Sequence, residues 1–216
     1  MNGPEPLETP ELEAGAPGDP ARVDGRAARS AKTRDAIADA LLDLLGDGRL
    51  RPTAKEIAER AGVSVRSVYV HFDDLEDLFC VAATRHFGRI APMLTPIPAG
   101  GTVDQRAHAL VSQRIRLYSQ TGAVGRATRL HAESSRTLAR ILRDAHSRSC
   151  ADLERIFAQE LEPLTESDRL RVVAVLDVLT GPDAWESLRR RDDLSDEASM
   201  QCLVDAVILQ VREAST

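Results

Sequence analysis

The residues best suited to chemistry in this chain sit in one short stretch, Thr53 to His71, where hydroxyl, cationic and aromatic side chains are interleaved with small apolar ones. Pro52-Thr53 followed by Glu56 has the spacing of a capping box, in which a threonine and a glutamate satisfy each other's orphan backbone donors at a helix start. Gly62 then breaks the pattern, Ser64 offers a second cap, and Val65 to His71 makes a second short helix. Ile57, Ala58 and Ala61 supply the inward face of the first helix, and Val68 and Phe72 that of the second, with Val63 packing inward just after the turn. Assigning those positions to a core leaves Val65, Arg66, Ser67, Tyr69 and His71 facing outward.

Such a face suits duplex DNA. Arg66 has the fork to engage a guanine edge and Val65 the methyls to meet a thymine methyl, while Thr53, Lys55, Ser64, Tyr69 and His71 are suited to phosphate contacts that set register, with Ser67 beside the reading pair. Spacing alone leaves a second reading open, that Ala58-Gly62-Val63 is merely a corner between helices of a bundle and Arg66 is solvated.

The elements that must hold these residues are helical. A hydrophobic fraction of 43% with only 3% aromatic residues favours helix-on-helix packing, so the expected class is all-α. Ile37, Ala40, Leu41, Leu44 and Leu45 place a first helix over Ser30–Leu45, and Leu75, Leu78, Phe79 and Ala82 open a further one after Asp73-Asp74. Beyond a Pro/Gly-rich stretch at residues 92–101, helices are expected over Val103–Tyr118, Val124–His131, Thr137–Leu161, Ser167–Leu179 and Ser195–Val211. The expected organisation is an acidic, Pro/Gly-rich disordered tail over 1–25, a helix-turn-helix domain over 26–85, and a larger helical domain over 86–216.

The net charge of -6 argues against nucleic acid only if spread evenly. It is not: Glu5, Glu8, Glu11, Glu13 and Asp19 fall in the first 21 residues, which hold no Lys or Arg, whereas Arg26, Arg29, Lys32 and Arg34 form a basic run across the start of the first helix. That run reads equally as an arm along the DNA backbone or as a solvated helix start. Cys80, Cys150 and Cys202 lie far apart with no CxxC, so neither a disulfide framework nor a metal site is expected. With no long apolar run, a cytoplasmic protein is expected. No GxSxG, Walker, GxGxxG or HExxH pattern supports an enzyme, and no cofactor is called for.

The run from Thr53 to Phe72, with Glu56-Ile57-Ala58, Ala61-Gly62-Val63-Ser64 and Tyr69-x-His71-Phe72 in place, resembles the DNA-binding signature of the TetR family over residues 30–80. Two positions depart from it. Arg66 stands where many members have glycine, so base contacts cannot be carried over, and Leu75 stands where a phosphate-gripping lysine is common. The resemblance implies a homodimer on a palindromic DNA operator, released by a small-molecule effector bound in the C-terminal domain, and usually acting as a repressor. It also implies dimerisation through the last two helices, where Leu170, Val173, Leu176, Val178, Leu179, Leu203, Val204, Val207, Ile208 and Val211 are apolar enough for an interface, or for ordinary core. Arg114, Tyr118, Arg129, His131 and Glu133 are the candidate effector contacts. A constitutive DNA binder, or a helical interaction module whose C-terminal domain only dimerises, is the competing expectation.

Overall fold

The computed structural model describes residues 20–190 and 192–214, with side chains from Ala27 onward. Over these residues the chain is all-α, as composition predicts. Helix α1 spans Pro20–Gly46, α2 Ala54–Ala61, α3 Val65–His71 and α4 Leu75–Ile90; after a single 3-10 turn at Ala91–Met93 come α5 Val103–Ala132, α6 Arg136–Ile156, α7 Ala158–Leu161, α8 Glu166–Leu179, α9 Pro182–Arg190 and α10 Asp196–Ala214.

Several boundaries differ from expectation for identifiable reasons. The first helix begins at Pro20 rather than near Ser30, so the segment over 20–25 read as tail is helical; residues 1–19 of that tail lie outside those described. The two helices expected over Val103–Tyr118 and Val124–His131 are one 30-residue helix, because Gly122 and Gly125 interrupt only the apolar pattern and not the backbone ladder. Conversely, the expected helix over Thr137–Leu161 breaks at Phe157, which leaves helical geometry (φ -109°, ψ 25°) with its ring fully buried. Helix α9, centred on buried Trp185, was not foreseen: nine residues carrying one aromatic give little periodic signal.

Two cores organise the packing. In the first, Ile37, Leu41 and Leu45 of α1 meet Ile57, Val68, Phe72, Leu78 and Phe79, and the cluster continues into Val124 and Ala127 of α5 and Leu138 of α6. The helix-turn-helix is thus not an isolated bead; the C-terminal helices share its core, and a boundary at residue 85 would cut α4 in mid-helix. In the second core, Leu110 and Val111 pack with Leu153, Ile156, Phe157, Leu176, Trp185, Val204 and Val207. Val173, Leu176, Leu203, Val204, Val207 and Val211, set down as interface candidates, are buried here within the single chain, whereas Leu170, Val175, Val178 and Leu209 face outward.

One buried ion pair locks the second core. Arg106, only 3% exposed, donates to both carboxylate oxygens of Glu160 (3.0 and 2.5 Å) and to the Ile156 carbonyl at 2.6 Å, joining the start of α5 to the α6–α7 corner. On α4, half-buried His86 has its Nε2 buried without a hydrogen-bond partner among the described residues. Burial, helped by the neighbouring Arg89 cation, pulls its pKa below the ordinary imidazole value. The unfolded chain therefore takes up the proton first as pH falls, so this contribution to stability is complete above about pH 6.5 and is lost below it, toward the folded value. Denaturant unfolding at pH 7.5 and 5.5 is expected to show a larger acid loss in the parent chain than in His86→Leu; equal losses would refute the assignment.

Candidate nucleic-acid interface

The local sequence builds the reading helix in three steps. Thr53 accepts from the Glu56 backbone N–H at 3.3 Å while the Glu56 carboxylate receives the Thr53 N–H and hydroxyl, each at 2.8 Å, so the capping box is fully formed. Those hydrogen bonds hold the Glu56 carboxyl below its usual pKa. Gly62 then adopts φ +67°, a left-handed conformation that glycine enters without steric cost, and the Val63 N–H returns to the Ala58 carbonyl at 3.0 Å. Finally Ser64 caps α3 by accepting from the Ser67 N–H at 3.0 Å.

The far end of α3 is closed by a residue from α1. Arg34 donates to the His71 carbonyl at 2.7 Å, and its guanidinium lies 4.5 Å from the centroid of the Phe72 ring. A cation there complements the C-terminal dipole of α3 and roofs the buried Phe72. Arg34, part of the basic run suggested as a DNA arm, is therefore engaged within the fold; its helical spacing from the α1 core residues gave no hint of that.

What remains outward on α3 is Val65 (40% exposed), Arg66, Tyr69 (52%) and Val70 (69%). Val70 was not among the expected contacts, although its exposure on a helix otherwise anchored by Val68 marks it as a methyl-bearing group free to meet a partner. Ser67 and His71 are half-buried, and the Thr53 hydroxyl is engaged with Glu56. Lys55 is exposed and only loosely paired with Glu59 at 3.9 Å. The N-terminus of α4 is capped by Asp74, which accepts from the Asp77 N–H at 2.8 Å, so a carboxylate already occupies the place a phosphate would take.

Of the five candidate effector residues, Arg114 and Tyr118 lie together on α5, with the Arg129 cation near enough to act on the Tyr118 hydroxyl, while His131 and Glu133 stand at the end of that helix. Arg114 donates to Ser149 at 2.9 Å, and the Tyr118 hydroxyl donates to the Thr180 carbonyl at 2.8 Å, with burial pushing its pKa up. Arg129 pairs with Asp183 at 3.0 Å. His131 contacts the Leu50 carbonyl at 3.2 Å, lies 4.1 Å between centroids from Phe79, and borders a cleft of about 410 Å³ between α4 and the ends of α5 and α6. Exposed Glu133 follows at the end of α5.

Residues 37–80 match the family described as bacterial regulatory proteins, tetR family. This stretch is a TetR-family domain. The overall fold is likewise similar to solved structures. A transcriptional regulator from Rhodococcus sp. Rha1 superposes with a TM-score of 0.67 at 21% identity, over 85% of this chain and 98% of the other. A TetR transcription regulator from Haloarcula marismortui gives 0.59 at 16% identity, again over 85% and 98%. A TetR-family transcriptional regulator from Mesorhizobium loti gives 0.50 at 17% identity, over 86% and 96%. Identities this low show a shared fold. No curated protein matches the chain in sequence. The TetR-family domain makes α2–α3 a DNA-binding helix-turn-helix, and among the described residues no helix is long and apolar enough to cross a membrane.

Proposed function

We propose that this TetR-family protein is a cytoplasmic transcriptional repressor, not an enzyme, that binds a palindromic operator as a homodimer and is released by a small-molecule effector. The observation that carries the reading is the outward face of α3, where Val65, Arg66, Tyr69 and Val70 project from a helix fixed at both ends by Ser64 and Arg34. Arg66 and Val65 read base edges, with Ser67 beside them; Thr53, Lys55, Ser64, Tyr69 and His71 hold phosphates. The outward Leu170, Val175 and Val178 of α8 and Leu209 of α10, on helices packed against each other, support an interface with a second copy. The cleft beside His131 and Phe79 supports an effector site, since a molecule lodged there would touch Leu75, Phe79 and Leu138 of the core that the helix-turn-helix shares.

Selection of bound sequences from random DNA tests this reading. The expected result is an inverted repeat whose half-sites are separated by about one helical turn or a multiple of it. Absence of any salt-sensitive, sequence-selective binding by the purified protein would refute it. Within the selected site, Arg66→Ala is expected to lose about 1–3 kcal/mol of discrimination at particular base pairs, roughly 5- to 150-fold, with little change on random DNA. Tyr69→Phe and His71→Ala are expected to weaken selected and random DNA alike. Equal losses on both DNAs for Arg66→Ala would show that it is a phosphate contact.

The engagement of Arg114, Tyr118 and Arg129 with protein partners favours a second reading, a constitutive DNA binder whose C-terminal domain only dimerises. Ligand-dependent melting shifts across a metabolite panel separate the two: a shift that also weakens operator binding supports release by an effector.

A further inference from the structure

Outside the helix-turn-helix, His146 and Cys150 stand four residues apart on one face of α6, and Asp177 of α8 lies against them. The His146 Nδ1 is 2.9 Å from the Asp177 Oδ2, the Cys150 Sγ is 3.8 Å from either ring nitrogen of His146, and one donor atom from each residue lies within 4.8 Å of the others. A tetrahedral zinc-type site, with metal–ligand bonds of about 2.0–2.3 Å, holds its donors roughly 3.3–3.7 Å apart. The three donors therefore need to adjust by about an ångström, and His146, whose side chain is 63% exposed, has the freedom to do so.

Asp177 is itself held in place. Ser149 donates to its Oδ1 at 2.5 Å and itself accepts from the Arg114 guanidinium at 2.9 Å. One carboxylate oxygen is thereby fixed by the protein and the other turned toward His146 and Cys150. This is the arrangement by which outer groups orient a carboxylate ligand. The donor set of imidazole, thiolate and carboxylate suits a borderline divalent transition ion, and is unlike the all-oxygen shell that calcium or magnesium takes.

We propose that His146, Cys150 and Asp177 form a binding site for a divalent transition-metal ion of the zinc class, with a fourth position open to solvent. On binding, the metal takes the place of the hydrogen between Nδ1 and Oδ2, with the imidazole carrying its proton on Nε2, and the Cys150 thiol proton leaves to solvent. Thiolate and carboxylate then balance the two positive charges of the ion, and one proton is released per ion bound to the neutral imidazole form. The ion ties α6 to α8. None of this depends on the DNA-binding reading.

Titration of the full-length, reduced protein with cobalt(II) tests the proposal, because thiolate ligation gives a charge-transfer band in the near ultraviolet. One saturable ion per chain with that band is expected. Cys150→Ser should abolish the band, His146→Ala and Asp177→Asn should each weaken binding by on the order of 100-fold, and Ser149→Ala by about 10-fold. Cys80→Ser and Cys202→Ser should leave the titration unchanged, and unaltered melting of the metal-free variants shows that folding is intact. A band that vanishes with Cys202→Ser, binding that survives both His146→Ala and Asp177→Asn, or no saturable binding at all would overturn the site.

Discussion

Phe72→Ala is expected to lower the unfolding free energy by about 3–5 kcal/mol, the range for deleting a fully buried aromatic ring, and to abolish operator binding with it. Phe72 is 2% exposed, ends α3 through its N–H bond to the Val68 carbonyl at 3.0 Å, and lies in the core that α1, α4, α5 and α6 share with the helix-turn-helix. Its removal opens a cavity beneath the reading helix and takes away the surface over which Arg34 spreads. Domains are stable by about 5–15 kcal/mol in total, so this one ring represents a large share. Urea denaturation with a gel shift at a temperature where the variant remains folded separates lost stability from lost orientation. Destabilisation below 1 kcal/mol would mean that the ring is not the keystone of α3.

Glu160→Gln is expected to cost about as much, about 3–5 kcal/mol, although it changes no volume. Arg106 is almost wholly enclosed, its Nε already lacks a partner among the described residues, and Glu160 supplies the carboxylate that neutralises it. With a neutral amide in that place the guanidinium stays charged and buried, since arginine does not give up its proton. Replacing both partners, Arg106→Met with Glu160→Leu, should recover most of the loss, because the burial cost of the charges disappears together with their attraction; the Ile156 carbonyl, left without its 2.6 Å donor, keeps the recovery incomplete. Urea denaturation of the three variants checks this, and a double variant no better than the single one would refute the argument.

The contrast between these two sites shows what reading a sequence can reach. Phe72 was legible as core because Val68 and Phe72 lie four apart on one helical face of the short helix that follows Gly62. The Arg106–Glu160 pair was not, because its members are 54 positions apart and each resembles any solvated helix charge. The same distinction explains the interface candidates. Apolar spacing on α8 and α10 identifies residues that need burial, yet whether Val173 and Val207 find it within the chain or against another copy depends on how α5 and α6 pack beside them.

By itself, then, the sequence determined the helix-turn-helix: its capping box, left-handed glycine, second cap and inward apolar faces are set by contacts between residues three to ten apart, and local spacing encodes these. Only the tertiary structure decided that Arg34 closes α3, that Tyr118 is held at the Thr180 carbonyl, and that His146 and Cys150 meet Asp177. Each of those outcomes joins elements separated by some 30 or more residues, and the sequence pattern within any one helix is the same whichever partner its exposed polar groups meet.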